Sequence, residues 1–321
     1  MSSAGDALTP SLSIVLPCFN EHAVLDETVR RVAAAAGVVT PSFEVVLVND
    51  GSRDSTWDDM VRLSAADTRV VAVNLSRNHG HQLAVTAGLL VARGARVMVM
   101  DADLQDPPEL LGDLMQAMDA GADVAYAQRR SRPGDAPLKR AACAAFYRLL
   151  NTIAEVPVAL DTGDFRLMSR RVVDILNQMP ERRRYIRGMV SWVGFRQVAV
   201  PYDRDARHAG ETKYPMRKLI QLAIDGVTSS SVKPLAFANV CGVLAGGVGL
   251  VILLYSVISW LFVGQTPPGW ASLMVVIALL GSAQLFVRGI IGEYLGRLWE
   301  QSRGRPMVLI DQVICGGAPR A

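Results

Sequence analysis

Short apolar runs alternate with segments of helical spacing through the first part of the chain. Leu12 to Pro17, Phe43 to Val48, Val70 to Leu75, Val97 to Met100 and Asp123 to Gln128 read as strands. Between them the apolar period lengthens. Val24, Leu25, Val29 and Val32 mark one helix, and Asp54 and Ser55 offer caps for a second. The alanine-rich stretch Gln82 to Ala92 makes a third, and Glu109 opens a fourth behind Pro107 and Pro108. Strands buried on both faces lose their polar alternation, as these runs do. The alternation of the two element types predicts an α/β fold with a doubly wound, mostly parallel sheet.

The pattern changes after this region. Leu138, Ala142, Ala145, Phe146, Leu149 and Ile153 share one helical face, preceded by Arg129, Arg130, Arg132, Lys139 and Arg140. A second amphipathic piece runs from Pro215 to Val227 beside Arg217 and Lys218. Both fit surface helices packed on a sheet, and both fit helices lying in a membrane interface. The C-terminal third favours the membrane. Pro234 to Val263 and Trp270 to Val287 carry no charge, and roughly 20 apolar residues span a bilayer. Lys233 precedes the first run, and Arg297, Arg303 and Arg305 follow the second, so both outer flanks are expected in the cytoplasm. The predicted layout is a cytoplasmic α/β domain over residues 1–214, a juxtamembrane amphipathic helix over 215–232, a transmembrane hairpin over 233–299 and a cytoplasmic tail over 300–321. In that tail Pro306 to Ile314 is apolar and strand-like, offering an edge to a neighbouring copy.

Composition narrows the partners. The 321 residues are half hydrophobic and carry a net charge of only +3, without a long basic block, so no nucleic-acid partner is expected. The four cysteines (Cys18, Cys143, Cys241 and Cys315) form no CxxC pair, which argues against a zinc site or a disulfide framework. The first residues lack the pattern of a signal peptide, in keeping with a cytoplasmic domain.

Ligands of open α/β sheets bind at the carboxyl ends of strands. Here those ends carry Glu21, Asp50 and the pair Asp101 and Asp103, which the predicted topology gathers on one edge. Asp101, Asp103 and the amide of Gln105 supply hard oxygen atoms suited to Mg²⁺ or Mn²⁺. An isolated Asp-x-Asp reads more readily as an acidic turn capping a helix, because such motifs are common. Neither GxGxxG after the first strand nor GxxxxGK[ST] is present, which disfavours a dinucleotide fold and a P-loop.

With these pieces in order, the chain resembles the polyprenyl-phosphate glycosyltransferases, family-2-type enzymes of GT-A fold. The resemblance rests on Pro17-Cys18-Phe19-Asn20-Glu21, Val48-Asn49-Asp50-Gly51-Ser52, Ser76 to Gln82 and Asp101 to Glu109. It continues through Thr162-Gly163-Asp164-Phe165-Arg166, Arg207 to Tyr214 and Gly292 to Arg297, covering nearly the whole chain.

The resemblance implies that Pro17, Phe19, Glu21, Asp50 and Asp101 line the pocket of a nucleotide sugar, and that Asp101, Asp103 and Gln105 hold a divalent metal. Arg207 and Lys213 would neutralise phosphates from a closing loop. Arg129, Arg140 and, more weakly, Lys139 would hold the phosphate of the lipid. Asp164 occupies the position of the family's catalytic base. That role is discounted here, because a phosphate monoester has its second pKa near 6 and arrives largely dianionic. The implied reaction is inverting transfer of a sugar, with UDP-glucose as the first expectation, to undecaprenyl phosphate at the bacterial inner membrane. A homo-oligomer, as large as a tetramer, and a separate flippase are the further partners expected. A processive polysaccharide synthase is the main rival, but its Gln-x-x-Arg-Trp motif is missing. A non-catalytic membrane scaffold would not need Asp101, Asp103 and Lys213.

Overall fold

The computed structural model describes residues 9–130, 162–182, 184–202, 233–263 and 269–320. Both amphipathic segments lie outside them, as do Cys143, Lys139, Arg140, Arg207 and Lys213. The chain divides into two compact units, one built around a sheet that includes the segment from Arg305 onward, the other around two long helices.

The sheet has the order β7-β5-β6-β4-β1-β2-β3-β8-β9 among the described residues. Its centre is parallel, as expected: β1 (Leu12–Cys18) lies between β2 (Phe43–Asn49) and β4 (Arg96–Val99), and β2 pairs with β3 (Val70–Leu75). Pro17 is tolerated in this central strand because the pairing with β4 stops at Val15, two residues short of it. Beyond β4 the sheet is mixed. β6 (Thr162–Ser169) runs antiparallel to both β4 and β5 (Val124–Arg129), and β7 (Gln197–Tyr202) returns parallel to β5. This reversal positions the site. The beginning of β6 lies at the same edge as the ends of β4, β5 and β7.

Alternate residues of the central strands face two apolar layers, so the runs are continuous rather than alternating. Ile14, Leu16, Val45, Leu47 and Met98 pack with Leu25 and Val29 of α1 (Leu25–Val39), Met60 of α2 (Thr56–Ala66) and Leu114 of α4 (Leu111–Asp119). Val15, Val46, Val48, Val97 and Val99 pack with α3 (His81–Val91), α5 (Arg170–Gln178) and α6 (Ile186–Val193) on the other side. The contact between α3 and the sheet is close. A Cβ on Gly88 would come within 2.2 Å of Val15 Cγ1.

The apolar segment near the C-terminus does not wait for a neighbouring copy. β8 (Ile310–Cys315) pairs antiparallel with β3 of its own chain, from Val71↔Cys315 to Leu75↔Ile310, and folds back on β9 (Ala318–Pro319). The physical reason is the edge of β3, whose unpaired backbone groups this strand satisfies.

The second unit consists of α7 (Lys233–Val263) and α8 (Trp270–Ser302) packed on each other. Val243, Leu250, Val251, Leu261 and Phe262 of α7 and Leu285, Phe286 and Leu298 of α8 expose large apolar side chains. Glu293 and Arg297 form an i,i+4 ion pair at 3.0 Å. Counted over the described residues, no helix is long and apolar enough to cross a membrane.

Candidate active site

The loop from Asp101 to Asp106 leaves β4 and carries the densest group of carboxylates. It is held in shape by its own backbone. Gln105 N donates to Asp103 Oδ1 at 3.2 Å, and Leu104 adopts a left-handed conformation with φ +58°. A bulky residue in that region costs energy and persists only where the surroundings impose it. Pro107 is extended, a 3₁₀ turn over Pro108–Leu110 follows, and α4 begins. Arg31 of α1 ties this turn down through Glu109 at 2.8 Å.

Glu21 and Asp101 bring charge from two strand ends together. Burial pushes the carboxyl of Glu21 up to about 7, with Asp103, Asp101 and Asp54 adding repulsion. Asp101 rises to about 6, through burial first. His81 pulls it the other way, and Asp164, Asp103 and Asp106 repel it. Such crowding favours a cation among them. Among the described residues no group of three or more His, Cys, Asp or Glu side chains is placed to hold a metal. Two carboxylates and a buried amide, Gln105, therefore fit a hard ion that keeps part of its shell for water and phosphate oxygen rather than one caged by protein.

Asp164 is 4% exposed and saturated with donors. His81 Nε2 lies 2.9 Å from Oδ2, Gln82 Nε2 donates to the same oxygen at 3.2 Å, and Arg187 donates Nε to Oδ1 at 2.8 Å and Nη2 to Oδ2 at 3.3 Å. Arg166 Nη2 is 4.0 Å away. Burial alone would raise this carboxyl. The hydrogen bond from His81 and the charges of Arg187 and Arg166 outweigh it and hold Asp164 well below the usual carboxylate range. His81 also reaches toward Asp101 Oδ1 at 3.7 Å. Burial opposes its protonation, but the hydrogen bond to Asp164 and the charge of Asp101 prevail and raise its pKa. Gln82 completes the knot by accepting Ile186 N through Oε1 at 2.9 Å. The start of α3, the start of α6 and β6 itself thus converge on one carboxylate.

Asp50 is 3% exposed at the end of β2. Its carboxylate accepts His79 N at 2.6 Å and Gly80 N at 2.9 Å, and its carbonyl accepts Asn78 Nδ2 at 2.9 Å. It clamps the β3–α3 turn while lying beside the expected pocket. Gly51 is needed there. Its φ is +66°, and a Cβ would meet Asn78 N at 2.5 Å. Asn49 Nδ2 donates to Asn74 Oδ1 at 2.7 Å, and Asn74 Nδ2 to Asp311 Oδ2 at 3.2 Å, so the ends of β2, β3 and β8 are linked in series. Phe19 stands 45% exposed beside Asn20, whose Oδ1 accepts Arg53 N at 2.8 Å. An exposed ring at a strand end is a stacking surface for a planar ligand.

At the far side of the edge, Asp106 turns inward and is 1% exposed. Tyr202 donates its hydroxyl to Asp106 Oδ1 at 2.5 Å and accepts Arg129 Nε at 3.2 Å. Arg129 Nη2 lies 3.8 Å from the same Asp106 oxygen, and a Cβ on Gly163 would sit 3.5 Å from it. Burial first, then the bond to Asp106, pushes the phenol of Tyr202 up to about 12.

The structure therefore brings Glu21, Asp101, Asp103, Gln105, Asp164 and Arg129 to one edge, with Pro17 buried in β1 and Phe19 and Asp50 at neighbouring strand ends. His81, Gln82, Asp106, Arg187 and Tyr202 escape sequence reasoning as functional residues. The first two fall inside the stretch Ser76 to Gln82, and Asp106 falls inside Asp101 to Glu109, but nothing local marks Arg187 or Tyr202.

Residues 13–176 match the family model "Glycosyl transferase family 2". The chain belongs to glycosyl transferase family 2 and is a glycosyltransferase. Among curated proteins it is 42% identical to an uncharacterized glycosyltransferase of Bacillus subtilis (strain 168), over 94% of this chain and 93% of the relative. It is 37% identical to the bactoprenol glucosyl transferase of Shigella phage SfV, over 93% of this chain and 97% of the relative. Among solved structures, mannosyl-3-phosphoglycerate synthase from Rubrobacter xylanophilus aligns with a TM-score of 0.47 at 18% identity, over 69% of this chain and 72% of that one.

Proposed function

We propose that the protein transfers a glucosyl group from UDP-glucose to the phosphate of undecaprenyl phosphate. The carrying observation is the single edge on which Glu21, Asp101, Asp103 and Asp164 face a cluster containing Arg129. One side of it suits a metal-bound diphosphate, the other an anionic acceptor. Similarity to a bactoprenol glucosyl transferase over nearly all of both chains supports the same reading.

A phosphate oxygen of the lipid attacks the anomeric carbon. The bond from that carbon to the diphosphate breaks, the electron pair leaves with UDP, and configuration inverts. Asp101, Asp103 and Gln105 would hold a Mg²⁺ or Mn²⁺ ion, which when bound would supply charge neutralisation for the leaving diphosphate. Phe19 and Glu21 bind the nucleotide end, and Asp50 holds the loop beneath it. Arg129 orients the acceptor phosphate; Arg140 and Lys139 would help to hold it and Arg207 and Lys213 would neutralise phosphates, all four lying outside the described residues. Because the acceptor arrives largely dianionic, Asp164 removes no proton. It holds His81 and Arg187 in place, and positioning with electrostatics performs the chemistry.

The acceptor is a membrane lipid, and we place α7 and α8 in the inner membrane with the catalytic unit on the cytoplasmic side. The uncharged runs Pro234 to Val263 and Trp270 to Val287 and the basic residues at their outer flanks support this. Assembly into a homo-oligomer and hand-over of the product to a separate flippase complete the proposal.

Purified full-length protein, incubated with undecaprenyl phosphate, Mn²⁺ or Mg²⁺ and a panel of nucleotide sugars, should release UDP and form a glycolipid with UDP-glucose. Release from a different nucleotide sugar would replace the donor, and release from none of them would overturn the function.

A further inference from the structure

Of the residues expected to hold the acceptor phosphate, Arg129 is the one among the described residues, and its position depends on Tyr202 and Asp106. Arg129 closes β5 and Tyr202 closes β7. The two are cross-strand partners, and Arg130 N donates to Tyr202 O at 3.0 Å. The backbone thus fixes how far apart the two side chains start.

The ring of Tyr202 is fixed as well. It is 5% exposed and stands edge-on to the buried Phe165, with centroids 6.2 Å apart and planes at 84°. A phenol carries one proton. That proton goes to Asp106 Oδ1, so the hydroxyl oxygen is left to accept Arg129 Nε–H. The order is carboxylate, hydroxyl, guanidinium, and it cannot reverse because arginine only donates. The bond uses the Nε edge of Arg129 and sets the plane of the guanidinium beside Gly163, the residue before Asp164. Asp106 belongs to the same loop as Asp101 and Asp103, three residues after the second of them. The loop that carries the donor-side carboxylates therefore also anchors the acceptor-side cation.

We propose that Tyr202 and Asp106 are positioning residues that hold Arg129 in the orientation in which it receives the phosphate of the lipid acceptor. This rests on the proposed transfer to polyprenyl phosphate. The class of ligand is a phosphate monoester presented by a membrane lipid. Tyr202 and Asp106 do not touch it, and act on acceptor affinity through Arg129.

The test uses the full-length enzyme in detergent with UDP-glucose, Mn²⁺ and undecaprenyl phosphate, and measures initial rates against each substrate in turn. Tyr202→Phe keeps the ring in its place against Phe165 and removes only the hydroxyl. It is expected to raise KM for undecaprenyl phosphate by roughly ten-fold, leaving KM for UDP-glucose within two-fold and kcat lowered by less than the acceptor KM rises. Asp106→Asn should act the same way. Arg129→Ala should raise the acceptor KM further, and adding Tyr202→Phe to it should then change nothing, because the positioned group is gone. An acceptor KM unchanged in Tyr202→Phe, equal losses for both substrates, or additive effects in the double variant would overturn the inference. Thermal unfolding of each variant separates these outcomes from misfolding, and Tyr202→Phe supplies the decisive arm if Asp106→Asn does not fold. A wild-type enzyme inert toward undecaprenyl phosphate would instead remove the functional reading itself, and the inference with it.

Discussion

Arg187 holds Asp164 by two hydrogen bonds, from Nε at 2.8 Å and from Nη2 at 3.3 Å, across a fold in which neither residue is a sequence neighbour of the other. A carboxylate bound in this way, with His81 and Gln82 on it as well, is an anchor already committed. Held well below the usual carboxylate range, it is a poor proton acceptor.

Asp164→Asn should therefore lose activity by disorder of His81 and Arg187 rather than by loss of a base. The expected loss is about 10- to 100-fold, smaller than for Asp103→Ala, with the difference widest above pH 7 where the acceptor is dianionic. Rates of both variants over a pH series, alongside donor binding, test this. Equal losses at every pH with donor binding intact would restore the base.

Arg187→Lys keeps the charge but gives up the two-point grip. Lysine cannot present two parallel donors to one carboxylate, so most of the activity lost in Arg187→Ala should stay lost in Arg187→Lys. Substantial rescue by lysine in a steady-state assay would mean that charge alone matters at this position.

Glu21 and Asp101 make the metal-free protein sensitive to pH. Their folded-state values, about 7 and about 6, lie above the ordinary 4.5 and 3.8. The folded state therefore binds protons more tightly than the unfolded one. Their contribution to stability is complete below the ordinary values and is lost as pH rises through about 6 to 7. In EDTA the melting temperature should fall between pH 5 and pH 8, and Asp101→Asn should flatten that fall. Added Mn²⁺ should restore more stability at pH 8 than at pH 5, because the ion binds the ionised carboxylates. A metal effect independent of pH, read by calorimetry, would argue against Asp101 as a ligand.

Gly51→Ala tests the clamp under the nucleotide pocket. The left-handed φ costs about 1–2 kcal/mol for any side chain, and the new Cβ would press on Asn78 N at 2.5 Å. Stability should fall by at least that amount in chemical denaturation, and donor affinity should fall with it as the Asp50 turn shifts. An unchanged midpoint would show that the turn yields more easily than its packing suggests.

The donor half of this site was legible in the sequence because apolar runs announce buried strands, and carboxylates just after such runs must surface at one edge. Glu21, Asp101 and Asp103 were found that way. β6 was not. Its Asp164 and Arg166 are charged residues at buried positions, a pattern that reads as loop until the pairing between them is visible. The same applies to Arg187 and Tyr202, whose partners lie in other elements and leave no local trace. The segment now seen as β8 announced itself as a strand, but only the open edge of β3 explains where it goes.

That pairing has a consequence for how the protein is made. Ser64 Oγ, with one proton to share, lies within hydrogen-bond distance of both Val70 O at 2.9 Å and Ile314 O at 3.3 Å, the latter across a separation of 250 residues. While the ribosome works through α7 and α8, the edge of β3 stands bare, and the pairing that covers it forms only after both helices have emerged. Contacts so distant in sequence form slowly. A polypeptide released early, anywhere before Ile310, would carry every carboxylate of the donor side and still present an open strand, leaving it to aggregation and proteolysis rather than to catalysis.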